Sequence, residues 1–319
     1  MKFFFTTIFL LIIHLGHAQV LLKKQVTLMG SIFEITIVDQ DTATVRKHID
    51  LVIAEVTRIE NLISEWRPET QISQVNRYAG IKPVQVDREV FDLTKRAIAY
   101  SKNSNGAFDI SIVALDKTWR FDGTMIELPS EEAIRKSVEK VGYEHIILDS
   151  TNCSIYLSIP GMKIGFGSIG KGYAADMGRA LMQSKSVQAG IVNASGDLST
   201  WGNQPDGTPW LIGIKNPFKA YKTIKILQME ESAVATSGSY EKYAEIGNKR
   251  YAHIINPKTG YPSTGLTSVS IYGPSAEFAN ALSTSIMVMG QKEGLKLVKR
   301  FPLYHYVLIT DNGKILKSH

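Results

Sequence analysis

The chain has 319 residues, 44% of them hydrophobic and 21% charged, with a net charge of +6 at neutral pH and a single cysteine. That length can bury a large core or two fused lobes. The basic excess is mild, with no basic run, zinc-ligand spacing, repeat or low-complexity segment, which excludes a nucleic-acid signature and leaves room for a phosphate-bearing ligand.

Lys2 precedes an apolar run from Phe3 to Ile13, too short to span a bilayer comfortably, and small residues follow at Gly16 and Ala18. The pattern predicts a secretory signal peptide over residues 1–18, cleaved after Ala18, and a mature domain over 19–319; a retained anchor is the alternative. Cleavage removes Lys2 and no acid, so the net charge falls to +5. The lone cysteine, Cys153, lies far from the apolar run. Neither a lipoprotein anchor nor an intramolecular disulfide is therefore expected, and the core alone must hold the fold.

Val26 to Val38 reads as paired strands with Met29 and Gly30 in the middle, where glycine marks a bulge or a close backbone approach. Ile49, Val52, Ile53, Val56, Ile59, Leu62 and Ile63 recur at helical spacing and predict a helix over 44–64 with one face to the core. Past Ser64 to Pro68, residues 69–76 read as a short capped helix and 87–103 as a second amphipathic helix closed by Asn103 to Gly106. Ala107 to Asp109 reads as a loop or strand end. Residues 130–141 read as a helix whose start carries Ser130 and two glutamates in capping order.

Met162 to Gly167 reads as a strand, which Ser168 to Asp176 turns into a helix reaching about Ser184. A Gly-rich turn feeding a helix N-terminus offers unpaired N–H groups and a positive dipole end, which suits a phosphate, and Lys171 adds a charge. The spacing is neither a P-loop nor a dinucleotide fingerprint. A strand over 189–193 runs into the tight turn Ala194 to Asp197, and a further strand ends in Thr236 to Tyr240. Residues 250–255 read as a short strand that delivers His253 to the Pro- and Gly-rich turn ending at Pro262. An imidazole moves protons near neutral pH; a surface turn with a structural histidine is the alternative. Asn280 and Thr284, four apart on a helical segment, can aim their oxygens at one pocket.

In order along the chain, Met29-Gly30, Ser64 to Asn76, Gly106 to Asp109, Gly167 to Asp176, Asn193 to Asp197, Thr236 to Gly238 with Tyr240, His253 to Gly260 and Ala279 to Gly290 resemble the FAD:protein FMN transferase (ApbE) family. The resemblance covers nearly the whole mature chain. It implies an α+β, two-lobed fold with mixed or antiparallel sheets and packed helices, the flavin held between the lobes. It further implies an exported enzyme, in the periplasm or on the outer face of the cytoplasmic membrane. Such an enzyme splits FAD and joins FMN by a phosphoester to a Thr or Ser hydroxyl of an exported acceptor, a redox subunit, releasing AMP. Membrane association could come through the acceptor.

By the same resemblance, Met29, Trp66, Ala107, Phe108, Asp109, Gly165, Lys171 and Ile254 match flavin- or nucleotide-binding positions, with Trp66 standing where relatives carry Tyr. Lys171 beside the FAD phosphates and His253 as proton acceptor or phosphate-positioning group are the catalytic candidates. Ser168, Asn280, Ser283 and Thr284 are the candidate ligands of a divalent cation, for which an oxygen-only set suits Mg²⁺. Two positions depart from the family pattern, which places acids where this chain has Gly165 and Asn280. An amide offers a carbonyl oxygen but no charge, so the cation is expected to bind more weakly or to come only with FAD. The departures leave two alternatives open: a metal-dependent FAD pyrophosphatase releasing FMN and AMP, and a flavin carrier without turnover.

Overall fold

A β-hairpin opens the described part of the chain. Strands β1 (Val20–Leu28) and β2 (Ser31–Asp39) pair antiparallel in unbroken register from Val20 opposite Asp39 to Leu28 opposite Ser31. Between them Met29 and Gly30 both take positive φ, 50° and 66°, the left-handed pair that matches the right-handed twist of a two-residue hairpin. Gly30 thus makes a turn, not a bulge. The computed structural model describes residues 19–115, 118–240, 242–247 and 249–318, so the expected signal peptide at 1–18 lies outside the described residues.

Asp41 caps α1 (Thr42–Ile63) by accepting the N–H groups of Ala43 and Thr44, and the helix buries Val45, Ile49, Val52, Val56, Ile59 and Ile63, the stripe its periodicity predicts. There follow α2 (Gln71–Arg77), β3 (Val84–Gln85), α3 (Arg88–Asn103), a 3-10 turn at Ile110–Ala114, α4 (Glu131–Val138), β4 (Ile146–Asp149) and β5 (Ser154–Leu157). Next come α5 (Gly170–Ser184), β6 (Ala189–Ala194), β7 (Asp197–Trp201), β8 (Trp210–Asn216), β9 (Lys219–Met229) and β10 (Ser232–Gly238). The chain closes with β11 (Tyr243–Ile246), β12 (Lys249–Ala252), β13 (Leu266–Gly273), α6 (Ala276–Val298), β14 (His305–Thr310) and β15 (Ile315–Lys317). Gly290, at φ 75°, breaks the helical geometry inside α6.

Eight strands form the main sheet in the order β1-β2-β6-β7-β10-β13-β14-β15, antiparallel throughout. Alternation along β2 sends Phe33, Ile35 and Ile37 into the core shared with α1 and α5, while Val38 joins Trp210, Leu227 and Val234 on the opposite face under the β8–β9 hairpin. Each side chain of that size, fully buried, contributes about 1.5–3 kcal/mol. Farther along the sheet, α6 lays Leu282 and Ile286 over Val269 and Ile271 of β13. The result is the expected α+β arrangement. Among the described residues no helix is long and apolar enough to cross a membrane.

One crossing and one cap fix the site. A Cβ at Gly172 would lie 2.5 Å from the Ala276 carbonyl oxygen, so only glycine lets the starts of α5 and α6 meet backbone to backbone. One turn later, Asp176 accepts the N–H groups of Ala276 and Glu277, each at 3.0 Å, and the Ser275 hydroxyl at 2.7 Å. A carboxylate there satisfies orphan donors and the positive end of α6 together. The expected strand over Met162 to Gly167 does not form. That backbone is held by the Asn76 side chain, which accepts from the Ile164 N–H at 2.8 Å and donates to its carbonyl at 2.9 Å, and by the Ile110 carbonyl, which accepts from Gly165. Its amides thus find partners without a ladder.

Candidate active site

A cavity of about 210 Å³ opens where these elements converge. Its wall is made by Ala107, Phe108, Asp109 and Ile112, by Gly167, Ser168 and Lys171 entering α5, by Asp197 opening β7, by Thr236 to Gly238 ending β10, by His253 to Ile255 with Pro257, and by Asn280 and Thr284 of α6.

The first turn of α5 carries no side-chain cap. The Gly170 N–H is taken by the Phe166 carbonyl, and the positive end of the helix lies at the cavity wall with Ser168 and Lys171, an arrangement suited to an anion. Lys171 Nζ stands 3.8 Å from Asp197 Oδ2, whose side chain is only 4% exposed. Between them and the α5 turn sits the amide of Asn280. Its neighbours there are oxygens that accept, so the amide is assigned the orientation in which its nitrogen faces them, donating to the Ser168 carbonyl at 2.7 Å and to Asp197 Oδ2 at 3.2 Å. Ser283, fully buried, does not reach the cavity: its hydroxyl donates to the Asn280 carbonyl at 3.0 Å and bonds Ser237 at 2.8 Å. Thr284 lines the wall with its hydroxyl 3.3 Å from that of Ser237.

Across the cavity, His253 places both its backbone N–H and ring Nδ1 3.0 Å from the Lys242 carbonyl. A carbonyl only accepts, so Nδ1 carries the hydrogen and the lone pair sits on Nε2. Burial pushes the imidazole pKa below its usual 6.5, and the Lys242 and Lys171 charges push the same way against the Lys242 carbonyl. The loop behind it is held by the Asn256 carbonyl accepting from Gly260, by Asn256 donating to the Tyr261 carbonyl, and by Trp119 Nε1 donating to the Gly260 carbonyl, all at 2.8 Å. Trp119 packs on Phe121 and Tyr251, and Phe121 turns its ring edgewise to His253.

Asp109 lines the wall but spends its carboxylate on the backbone. Oδ1 accepts from the N–H and hydroxyl of Ser111, and Oδ2 from the N–H of Tyr143. Burial raises its pKa, and those bonds oppose the rise. Met29, Trp66 and Gly165 stay outside the lining. Met29 packs by Gly170 beneath the α5 turn, and Trp66 is 82% exposed on the α1–α2 link. A Cβ at Gly165 would lie 2.9 Å from the carboxyl of Glu65, which fills the space a larger side chain would need. Burial raises the pKa of Glu65 as well.

The structure brings together Ala107, Phe108, Asp109, Ser168, Lys171, His253, Ile254, Asn280 and Thr284. It adds Asp197, Thr236 and Ser237, which sequence reasoning placed in turns without giving them a role. Their signal was the tight turn before β7 and the hydroxyl run ending β10; Ile112 and Ile255 carried none. A divalent cation implied by the family resemblance meets a poor donor set here. Asp197, the carboxylate at Ser168, already faces an ammonium, and the Asn280 amide in its assigned orientation presents hydrogens where a cation needs oxygens. Among the described residues no group of three or more His, Cys, Asp or Glu side chains gathers to hold a metal. With the amide in its assigned orientation, these residues do not fit a resident cation.

A sequence profile of the ApbE family matches residues 29–308. An FAD:protein FMN transferase of Klebsiella pneumoniae (strain 342) is 32% identical over 293 residues, 91% of this chain and 90% of the relative. One from Escherichia coli (strain K12) is 28% identical over 265 residues, 81% and 75% of the two chains. The ApbE protein of Thermotoga maritima superposes with a TM-score of 0.86 at 32% identity, covering 94% of this chain and 97% of that one. The flavinyl transferase ApbE of Pseudomonas stutzeri, in its apo form, does so at 0.82 with 27% identity, covering 94% of each.

Proposed function

The chain belongs to the ApbE family, and from that membership we propose that it is an FAD:protein FMN transferase acting on an exported acceptor protein. The observation that carries the reading is that the lone-pair nitrogen of His253 and the uncapped start of α5, with Lys171 beside it, share one cavity. The α5 N-terminus and Lys171 hold the diphosphate of FAD and spread the charge that develops on it. His253 Nε2 takes the proton of an acceptor Thr or Ser hydroxyl. The hydroxyl oxygen forms a bond to the FMN phosphorus, the bond from that phosphorus to the bridging oxygen breaks, and AMP leaves with that oxygen. Phe108 and Ile254 supply apolar wall for the flavin, and Asp109 keeps the 107–111 segment in place. A divalent cation is, on this reading, a companion of the FAD diphosphate. The chain is secreted by the segment at 1–18 and works in the periplasm or on the outer face of the cytoplasmic membrane, where the acceptor is a redox subunit.

The test is to incubate the mature chain with FAD, Mg²⁺ and an exported acceptor carrying a flavinylated-type Thr, following AMP and in-gel flavin fluorescence. A fluorescent acceptor with stoichiometric AMP is expected, and His253→Ala should lower the rate by about 10²–10⁴-fold. AMP with free FMN would replace the transferase by a hydrolase. Bound FAD with neither product would leave a flavin carrier.

A further inference from the structure

The Ser168 carbonyl and the Asp197 carboxylate converge from two different elements, the turn into α5 and the start of β7. Two acceptors brought together in a buried wall repel unless a donor or a cation lies between them. Here the bridge is an amide. In its assigned orientation Asn280 sends one N–H to each oxygen, at 2.7 and 3.2 Å, and is itself buried. The backbone that carries it is held in place, because Asp176 pins the start of α6 and the Asn280 backbone carbonyl is bonded by Ser283. Lys171 adds a positive charge 3.8 Å from the same carboxylate oxygen.

We infer that the Asn280 amide is a built-in replacement for a resident divalent cation, joining Ser168 to Asp197 so that the ligand-free site is assembled without metal. Mg²⁺ takes oxygens at about 2.0–2.1 Å in a near-octahedral shell and sheds water reluctantly. To enter here it would have to turn the amide over, break both hydrogen bonds and lie close to an ammonium. The inference rests on the transferase reading only for the identity of the nucleotide; the arrangement of the three residues stands without it.

The measurement is cation binding to the nucleotide-free protein, by calorimetry with Mn²⁺ as probe and by thermal unfolding in EDTA, Mg²⁺ or Mn²⁺. The wild-type chain should show the same midpoint in EDTA and in millimolar Mg²⁺ and no saturable Mn²⁺ binding. Asn280→Asp sets two carboxylates against the Ser168 carbonyl, so it should melt lower in EDTA, recover in Mg²⁺ or Mn²⁺, and bind Mn²⁺ at least roughly tenfold tighter than wild type. Asn280→Ala removes the bridge without adding charge and should melt lower whether or not a cation is present. Saturable binding of Mn²⁺ to wild type at an affinity within about threefold of the Asp variant overturns the inference, as does an Ala variant that melts with the wild type. Should Asn280→Asp fail to fold, the wild-type and Ala arms decide alone. No arm depends on FAD turnover, so failure here and failure of the transferase reading are separate results.

Discussion

The two sides of the cavity are held in place by different means. On the helical side, α5 and α6 meet backbone to backbone at Gly172, Asp176 caps α6 from α5, and the Asn280 amide ties α6 to both the α5 turn and β7. On the His253 side, a loop outside the main sheet is braced by backbone hydrogen bonds and by the packing of Trp119 against Phe121 and Tyr251. The difference matches the two tasks. Holding a diphosphate demands donors fixed to about half an ångström, whereas receiving a protein hydroxyl demands a proton acceptor reachable from outside. Substitutions on the first side should therefore be felt as lost stability, and those on the second as lost turnover.

The largest stability effect is expected from Gly172→Ala. Its Cβ would stand 2.5 Å from the Ala276 carbonyl oxygen and 2.9 Å from the Glu277 nitrogen, and backbone cannot rotate away as a side chain can. A loss of about 2–3 kcal/mol in chemical denaturation is expected, with FAD affinity falling as α6 shifts. A loss below roughly half a kcal/mol would show that the crossing tolerates slack and would remove the contrast between the sides.

Gly165→Asp comes next. The new side chain would meet the Glu65 carboxyl at 2.9 Å, adding both volume and a second acid to a pocket where burial already raises the Glu65 pKa. The cost should be about 1–3 kcal/mol, and Glu65→Ala in the same chain should return most of it. A double-mutant cycle with a coupling energy of about 1 kcal/mol or more is the expected result, and strict additivity would dismiss the pairing.

That pairing also shows where sequence reading stopped. The stripe of α1 was legible because six buried positions recur at helical spacing, and the His253 turn because Pro257 and Gly260 cannot continue a strand. Met162 to Gly167 looked like a strand because an apolar run carries no sign of what satisfies its backbone. The partner is Asn76, 88 residues upstream of Ile164. Asp197 looked like an ordinary turn residue, and it faces the cavity only because antiparallel pairing of β7 with β6 and β10 brings its end beneath α6. Trp66 matched a flavin- or nucleotide-binding position by resemblance, yet it lies outside the cavity lining, because its exposure is set by the path of the α1–α2 link. Local pattern reports elements, whereas a site is made by elements far apart in sequence.

The smallest expected effect is the response to pH, in which His253 and two buried acids act with opposite sign. His253 has a folded pKa below 6.5 because burial, then the Lys242 and Lys171 charges, disfavour its cation. Between that value and 6.5 the unfolded chain binds more protons than the folded one, so this group's contribution to stability is present above 6.5 and is lost as pH falls through the window. Glu65 and Asp109 act in the opposite sense. Burial raises their folded pKa above the ordinary 4.5 and 3.8, so the folded state binds more protons between the ordinary and raised values and their contribution grows as pH falls. Denaturation midpoints followed downward from neutral pH should first fall and then be partly offset. His253→Gln should remove the early fall alone, and Glu65→Gln should remove part of the later gain. In turnover the same depression keeps Nε2 free to accept a proton below the usual range, so the acid limit of kcat/KM should lie under 6.5. An acid limit above 6.5 would mean that the proton acceptor is another group, and it would leave His253 as a brace of the loop that carries it.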